Sequence, residues 1–397
     1  MSADKMLPAS SNTHAFNRRE LLKITGAGIA TAALGGCVSV DSDRLEMPVF
    51  SGSRSLSKLP FARPNMTMEN IIDIKVGVRP FRAGGFVVRG ERVGEKLIIH
   101  NYGHGGSGIT FSWGSSTLAV RELPETDDRR AAVIGCGVMG LTTARLLQQK
   151  GWKVVIYSKA FSPNNTSDAA GGQWAPTGIS YRFRETPAFS ARCDEALQIS
   201  YDIFTEQIGA EYGVRLIENY HLKNTPIRID DYSYLERWLK FFPQAEVLQP
   251  HQHAFPTRYA LRYLSMVIEP AVFLPKLMQE FRDGGGEARS REIIEVTELQ
   301  TFSEPVIFNC TGIGAKQLFD DEQLTPIRGQ IVLLRPDERV DYCTHGGGDG
   351  LMYMFPRSRD IAVGGSFDRG VMGLEPDAAT TERIVREHAG MIAALRI

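Results

Sequence analysis

The sequence predicts an α/β fold built on a βαβ nucleotide-binding unit, and three observations predict it. The first is the stretch AAVIGCGVMGLTTARLLQQKGWKVVIYSK at 131–159. There a buried apolar strand (131–134) runs into the turn Gly135-Cys136-Gly137-Val138-Met139-Gly140. A helix follows over 141–150 with Leu141, Ala144 and Leu147 on one face, Gly151 stops it, and 153–157 is a second buried strand. The second observation is that two more short strands, 96–100 and 306–309, also run into glycine-rich turns. The third is that strand and helix patterns alternate through the rest of the chain.

Each glycine of the first turn has a job. Gly135 makes the turn, Gly137 lets the backbone approach a pyrophosphate, and Gly140 lets helix pack on strand. The anion sits at the helix N-terminus beside Val138, where free N–H groups and the helix dipole favour it. At the end of the second strand an acidic residue commonly holds a ribose, but here Tyr157-Ser158-Lys159 stands. Ser158 can bond a ribose hydroxyl; Lys159 can meet a phosphate or be a solvated charge. This departs from an ordinary NAD pattern, and so does position, because 130 residues precede a unit that usually opens a chain.

The remaining elements follow in order. Strands are predicted at 71–78 and 96–100, and a helix at 111–123. The latter strand leads into Asn101-Tyr-Gly-His104-Gly105-Gly106-Ser107-Gly108-Ile-Thr110, which presents backbone N–H groups to something anionic or electron-rich. Residues 124–130, PETDDRR, form a polar connector. Thr166-Ser167-Asp168-Ala169-Ala170-Gly171-Gly172-Gln173-Trp174-Ala175-Pro176 is a small-residue loop suited to lie against a flat cofactor. Helices are predicted at 193–208, 232–242, 270–283 and 380–395. Strands are predicted at 211–218, 245–248, 263–268, 293–299, 306–309, 326–334, 351–356 and 361–367. After 306–309 comes the third glycine turn, Cys310-Thr311-Gly312-Ile313-Gly314-Ala315.

Composition narrows the class. With 397 residues, 43% hydrophobic and 23% charged, the chain has ordinary globular composition and room for one large two-part domain. A net charge of −1 gives no support for nucleic-acid binding or an electrostatic membrane surface. Five Cys lie far apart without CxxC or Cys/His spacing, so neither a disulfide framework nor a zinc site is indicated. His251 and His253 lack a partner cluster and read as loop histidines, so no metal is expected.

The first 37 residues read as a targeting segment. Asn17-Arg18-Arg19-Glu20-Leu21-Leu22-Lys23 is a twin-arginine signal, and 24–36 is apolar but too short to span a bilayer. Leu34-Gly35-Gly36-Cys37 resembles a bacterial lipobox, in which Cys37 would be acylated and tether the protein to a membrane on its periplasmic or cell-surface side. The alternative is an ordinary amphipathic helix. Residues 38–69 read as a tether.

The chain resembles the D-amino-acid oxidase family of flavoproteins, which includes D-aspartate oxidases. The similar pieces are VIGCGVMGLTTA (133–144), TSDAAGGQWAP (166–176), NCTGIGA (309–315), PIRGQIVLL (326–334), YMFPRSRDIAVGGSF (353–367), VGVRPFRAGG (76–85) and IIHNYGHGGSGITFSWG (98–114). Their order differs from the family's, in which the last two segments end the domain. The C-terminal 374–395 resembles the family helix that normally runs into the strand found here at 71–78. The resemblance therefore implies a circular permutant of a Rossmann-type FAD-binding domain with a mixed-sheet α+β substrate domain. The old termini are joined across 123–130. The alternative is that 1–123 is a separate or misassembled fragment. The implied layout is 70–123 as the permuted segment, 131–180 and 263–320 as the FAD-binding domain, and 181–262 and 321–397 as the substrate domain.

The resemblance also implies a reaction. FAD takes hydride from the α-carbon of a D-amino acid, O2 reoxidises the flavin to give H2O2, and water hydrolyses the imino acid. Such chemistry needs orientation more than a protein base. Arg79 matches the family arginine that clamps the substrate carboxylate, against the alternative of a surface salt bridge. Tyr353 matches a tyrosine bonding the same carboxylate, against a half-buried strand tyrosine, and Gly106 completes the catalytic set. The cofactor set is Gly135, Gly137, Val138, Gly140, Ser158, Lys159, Thr166, Ser167, Ala170, Gly171, Gly172, Trp174 and Gly312. The turn His104, Gly105, Gly106, Ser107, Gly108 and Thr110 joins that set, with His104 either a flavin-side donor or a turn residue. Two departures stand out: Asp349 replaces a family tyrosine and Ala175 a glutamine. If Asp349 faces the pocket it disfavours acidic side chains. Alternatives to the D-amino-acid oxidase are a glycine-type or other amine oxidase, a quinone-linked dehydrogenase, and a lipoprotein with FAD as a structural element. The acceptor is then O2 or a membrane quinone, and a homodimer is an expected assembly.

Overall fold

Strands buried on both faces read as unbroken apolar runs, and AAVI and VIFN do so here. The computed structural model describes residues 60–180, 184–227, 238–347 and 352–396, all within the compact unit Arg54–Ile397. Strands are numbered in chain order. A six-stranded sheet runs β2 (Val87–Val93), β3 (Lys96–Tyr102), β10 (Val306–Asn309), β4 (Arg130–Ile134), β5 (Lys153–Ser158), β9 (Glu287–Ser290). From β3 to β9 neighbours are parallel, and β2 closes the edge as an antiparallel hairpin with β3. The predicted βαβ unit is therefore present, with α2 (Val138–Gln149) as its crossover.

Helix α1 (Gly108–Arg121) packs between α2 and α3 (Pro187–Glu206), and α4 (Pro270–Asp283) packs on α2. Small residues set the first of these approaches. A Cβ on Gly114 would overlap the Ala196 carbonyl oxygen, and Gly114 N donates to Ser200 Oγ at 2.8 Å.

The second sheet has nine strands. Its path is β1 (Ile71–Arg82), β11 (Leu324–Leu334), β14 (Ile361–Gly364), β13 (Tyr353–Pro356), β12 (Tyr342–Gly346), β6 (Val214–Lys223), β8 (Tyr259–Ile268), β7 (Glu246–Leu248). A two-residue β15 (Asp368–Arg369) pairs with β11. Only β12 and β6 are parallel among these pairs. One face is covered by α5 (Ala378–Ala393), whose Ile384, Val385 and Ile392 meet Val332, Leu334 and Met354. The other face, with Ile217, Val267, Cys343, Phe355 and Tyr353, turns toward the loop that follows β5.

The early segment joins both sheets. β1 pairs with β11 from Ile71↔Leu334 to Arg82↔Leu324, while β3 lies beside β10, only one strand from β4. The element pattern corrects several expectations. Residues 293–299 are not a strand: a capping box between Glu295 and Glu298 folds Val296–Thr301 into a 3₁₀ turn. Of the helix expected over 232–242, residues 232–237 lie outside the described residues and Leu239–Phe241 is a 3₁₀ turn. β8 belongs to the nine-stranded sheet, not to the cofactor side where a 263–320 boundary puts it. The end of the expected tether is seated: Phe61 packs on Tyr342 at 4.6 Å between centroids, and Arg63 Nη2 donates to Leu395 O at 2.7 Å. The twin-arginine stretch, Cys37 and Asp349 lie outside the described residues. Among the described residues no helix is long and apolar enough to cross a membrane.

Two glycine substitutions should separate packing from propensity. Gly114→Ala is expected to cost about 1–3 kcal/mol by forcing α1 off α3. Gly390→Ala, on the exposed side of α5 with nothing within 4 Å of a new Cβ, should stabilise by about 0.5–1 kcal/mol. Denaturant unfolding of the two variants checks both signs.

Candidate active site

The nucleotide turn has the backbone its glycines require. Gly135 has φ +99° and a Cβ there would lie 2.5 Å from the Cys310 carbonyl oxygen. A Cβ on Gly140 would overlap the Gly135 carbonyl oxygen, so helix and turn touch only because both are glycine. Gly137, at the start of α2, is open on its outer side apart from Ser167 Oγ, 3.0 Å from where its Cβ would be. That hydroxyl also accepts from Val138 N at 3.0 Å, and it stands where an anion at the helix N-terminus would sit. Ser167 is held by the 3₁₀ turn Thr166–Ala169, capped reciprocally by Asn165 and Asp168. The third turn brings Gly312 (φ +58°) beside Pro80, whose Cγ would be 3.8 Å from a Cβ.

At the far end of β5, Ser158 and Lys159 have protein partners. Ser158 Oγ donates to Ala160 O at 2.7 Å, and Lys159 Nζ pairs with Glu292 at 3.0 Å on the surface. Both groups foreseen for ribose and phosphate are thus already engaged, one in a local turn and one in an exposed ion pair. Trp174 is also relocated. Its indole is fully buried against Tyr201 and Phe241, at 5.3 and 5.6 Å, in the core beneath the loop and not on the crevice.

Strand β1 closes the crevice from above. A Cβ on Gly77 would lie 2.9 Å from Ala169 Cβ and 3.2 Å from Thr166 O, so β1 lies against that 3₁₀ turn. Two residues on, the Arg79 guanidinium lies flat over Gly329, in the space a Cβ would occupy, and Nη1 donates to Ser366 O at 3.1 Å. The Tyr353 ring lies in the same way over Gly364 and stacks on Phe355 at 4.9 Å and 11°. Phe355 in turn meets Gly171, where a Cβ would be 2.7 Å from its ring. Arg79 and Tyr353 share a hydrogen bond; burial pushes the phenol up and the guanidinium pulls it back. Gly106 faces the stem of Arg79, 3.7 Å from Cδ to a Cβ there. Arg79, Tyr353, Gly106 and Gly171 are therefore neighbours.

The turn around His104 supports this arrangement indirectly. Gly103 and Gly105 have φ +88° and +55°. Ser107 Oγ donates to Ala175 O at 3.2 Å and also to Thr177 O. Thr110 Oγ1 donates to Ala175 O and accepts from Ala175 N, both at 3.1 Å. These hydroxyls, foreseen as cofactor contacts, hold the 175–177 loop, while Gly108 begins α1 next to Val138. His104 is 2% exposed and stacked on Phe86 at 4.7 Å, and its Nε2 has no hydrogen-bond partner. Burial pushes its imidazole down to about 3.

Arg357 was missed by motif reading. Its Nη1 donates to Ala170 O at 3.2 Å and its Nε pairs with Asp360 at 2.6 Å, tying the β13–β14 hairpin to the Gly171-Gly172 loop. A buried arginine in FPRSRD was the available signal. Cys136, Cys193, Cys310 and Cys343 are buried, and none of them is in a disulfide. Among the described residues no cluster of His, Cys, Asp or Glu is placed to hold a metal ion.

A parallel sheet with a glycine-turn cradle, faced by a second sheet carrying an arginine–tyrosine pair, is the class of architecture of a dinucleotide-dependent oxidoreductase. A profile of the FAD dependent oxidoreductase (DAO) family matches residues 130–395, and the chain belongs to that family. It is 26% identical to a D-aspartate oxidase from Homo sapiens over 65% of this chain and 74% of that one. It is 29% identical to a D-amino-acid oxidase from Rubrobacter xylanophilus, covering 67% and 78% of the two chains. Among solved structures, glycine oxidase from Geobacillus kaustophilus aligns with TM-score 0.52 at 16% identity, covering 68% and 80%. The chain is thus an FAD-dependent, amino-acid-oxidase-like oxidoreductase.

The residues present fit FAD. The open sides of Gly137 and Gly312 form a cradle that a side chain would fill, and the Ser167 hydroxyl faces the anion position. His104 Nε2 is an orphaned buried polar atom at the turn on the opposite side of the crevice.

His104 also sets an acid limit. Its unfolded imidazole titrates near 6.5 and the folded one near 3. The unfolded chain thus takes up a proton that the native one refuses. Stability from this group is complete above that upper value and is lost as pH falls through the window, by about 2 kcal/mol at pH 5. Thermal unfolding from pH 7 to 5 should show a drop that is shallower in His104→Leu. An unchanged slope would count against a neutral buried imidazole.

Proposed function

We propose that this chain oxidises a D-amino acid to the imino acid, with O2 as the final acceptor and H2O2 as product, the 2-oxo acid forming by hydrolysis. The observation that carries the reading is the hydrogen-bonded meeting of Arg79 and Tyr353, although they lie 274 residues apart in sequence. What FAD supplies when bound is two-electron oxidation at the substrate α-carbon. Gly135, Gly137, Val138, Gly140, Ser167 and Gly312 would hold it.

The chain's part is orientation. The guanidinium fork of Arg79 offers two parallel N–H bonds to a carboxylate, and the Tyr353 hydroxyl adds a third. With the carboxylate fixed, the α-carbon is held against the loop at Gly171 and the backbone at Gly106. The apolar ring of Phe355 and the packed sheet face exclude water there, which strengthens each of these bonds. The relatives named D-amino-acid and D-aspartate oxidases support the D configuration. A glycine-type amine oxidase is the second reading, because the clamp recognises a carboxylate and not a side chain. A site that had abandoned turnover would have no use for that clamp.

We further propose that the fold is circularly permuted. In support, the family profile starts at residue 130, while β1 and β3 complete the two sheets from outside it. We also propose export by the twin-arginine route and lipid attachment at Cys37, on the sequence of 17–37 alone.

Anaerobic addition of D- and L-amino acids to the purified full chain tests the main reading. Bleaching of the flavin spectrum by the D enantiomer is expected; bleaching by L alone, or by none, would overturn it. H2O2 formed in step with substrate consumed under air distinguishes O2 from a quinone. Arg79→Lys, which loses the fork, should lower kcat/KM roughly a hundredfold or more, and Tyr353→Phe roughly tenfold. Both variants should keep the flavin spectrum.

A further inference from the structure

The sheet face that carries the clamp continues beyond it as a row of polar side chains. In the antiparallel β12–β13 pair, His345 stands directly opposite Tyr353, and in the parallel β6–β12 pair His221 stands beside His345. Directly opposed residues share a face of a sheet. The two imidazoles are in contact, 4.1 Å between centroids. Tyr263, from β8, meets His345 Nε2 through its hydroxyl at 2.9 Å. Gln173, from the loop that also carries Gly171, donates to the Tyr263 hydroxyl at 3.2 Å and to Asn219 Oδ1 at 2.7 Å. Strand spacing puts His345 about 5 Å and His221 about 10 Å from Tyr353 along the sheet. His345 is thus within reach of a substrate side chain whose carboxylate is clamped, and His221 stands behind it in ring contact.

The row is uncharged. Burial pushes His221 down to about 4, with the Lys223 charge acting the same way, and it holds His345 well below its ordinary value, where the neighbouring ring adds to the effect. Lys223 itself lies two residues further along β6, about 7 Å beyond His221. What remains is a set of neutral donors and acceptors. A carboxylate placed here would lose its hydration without gaining a counter-charge. An apolar side chain would face these polar groups without making a hydrogen bond to any of them.

We propose that His345, His221, Tyr263, Asn219 and Gln173 form the subsite for the substrate side chain, and that it takes an uncharged hydrogen-bonding group, a carboxamide above all. This rests on the D-amino-acid reading and assigns its substrate class. D-asparagine, D-aspartate and D-leucine have nearly the same shape, so they differ in chemistry alone.

The test is kcat/KM of the holoenzyme for those three and for D-alanine. D-Asparagine is expected to exceed D-leucine and D-aspartate by at least tenfold. In His345→Phe and in Tyr263→Phe the asparagine-to-leucine ratio should fall about tenfold, a ratio that cancels any general loss of active enzyme. Wild-type enzyme that oxidises D-leucine or D-aspartate as well as D-asparagine would overturn the inference. So would a ratio unmoved in both variants. If D-alanine bleaches the flavin while the order differs, only the subsite assignment fails. If no D-amino acid bleaches it, the underlying reading fails with it.

Discussion

The pairing of β1 with β11 is the constraint on which the site depends. It runs from Ile71 to Arg82 with one irregularity at Ile72, and from Asp73 onward it fixes register residue by residue. Because side chains alternate along a strand, a slip of one residue would turn Arg79 from the crevice to the opposite face. Register alone does not place the guanidinium, however. It lies where it does because Gly329 and Gly364 leave flat backbone under Arg79 and Tyr353. The arginine–tyrosine pair is thus built as much from two missing side chains as from two present ones.

A second level of support lies behind the glycine loop. Arg357 bonds Ala170 O, Ser265 Oγ donates to Trp174 O at 2.7 Å, and Ser107 and Thr110 hold residues 175 and 177. One short loop is therefore fixed from the large sheet on one side and from α1 on the other. Most of the polar residues around it act through this loop. Such a shell keeps the reacting geometry within the tolerance that orientation requires.

Much of this was legible in the sequence, for identifiable reasons. The βαβ unit and its glycines were readable because buried parallel strands and a tight turn leave local signals. The alliance of Arg79 with Tyr353 was readable only through resemblance, since nothing local ties residues so far apart. Ser158 and Lys159 have partners, Ala160 O and Glu292, that spacing does not reveal. Trp174 misled because a loop of small residues hides which side its large member takes. β2 was missed because a solvent-facing edge strand, VVRGERV, carries charges and a glycine. The row at His345 and His221 left no motif, because its members come from four separate segments that only the sheet brings together.

The sulfur chemistry of the molecule follows from burial. Burial pushes the Cys136 and Cys310 thiols up to about 12, and the thiols of Cys193 and Cys343 are also out of reach of solvent. A thiol reacts with oxidants as thiolate, so these four are poor targets for oxidation. Thioethers need no ionisation, and Met68 and Met372 are 44% and 56% exposed. Oxidative ageing of this protein would therefore be written on its surface methionines first.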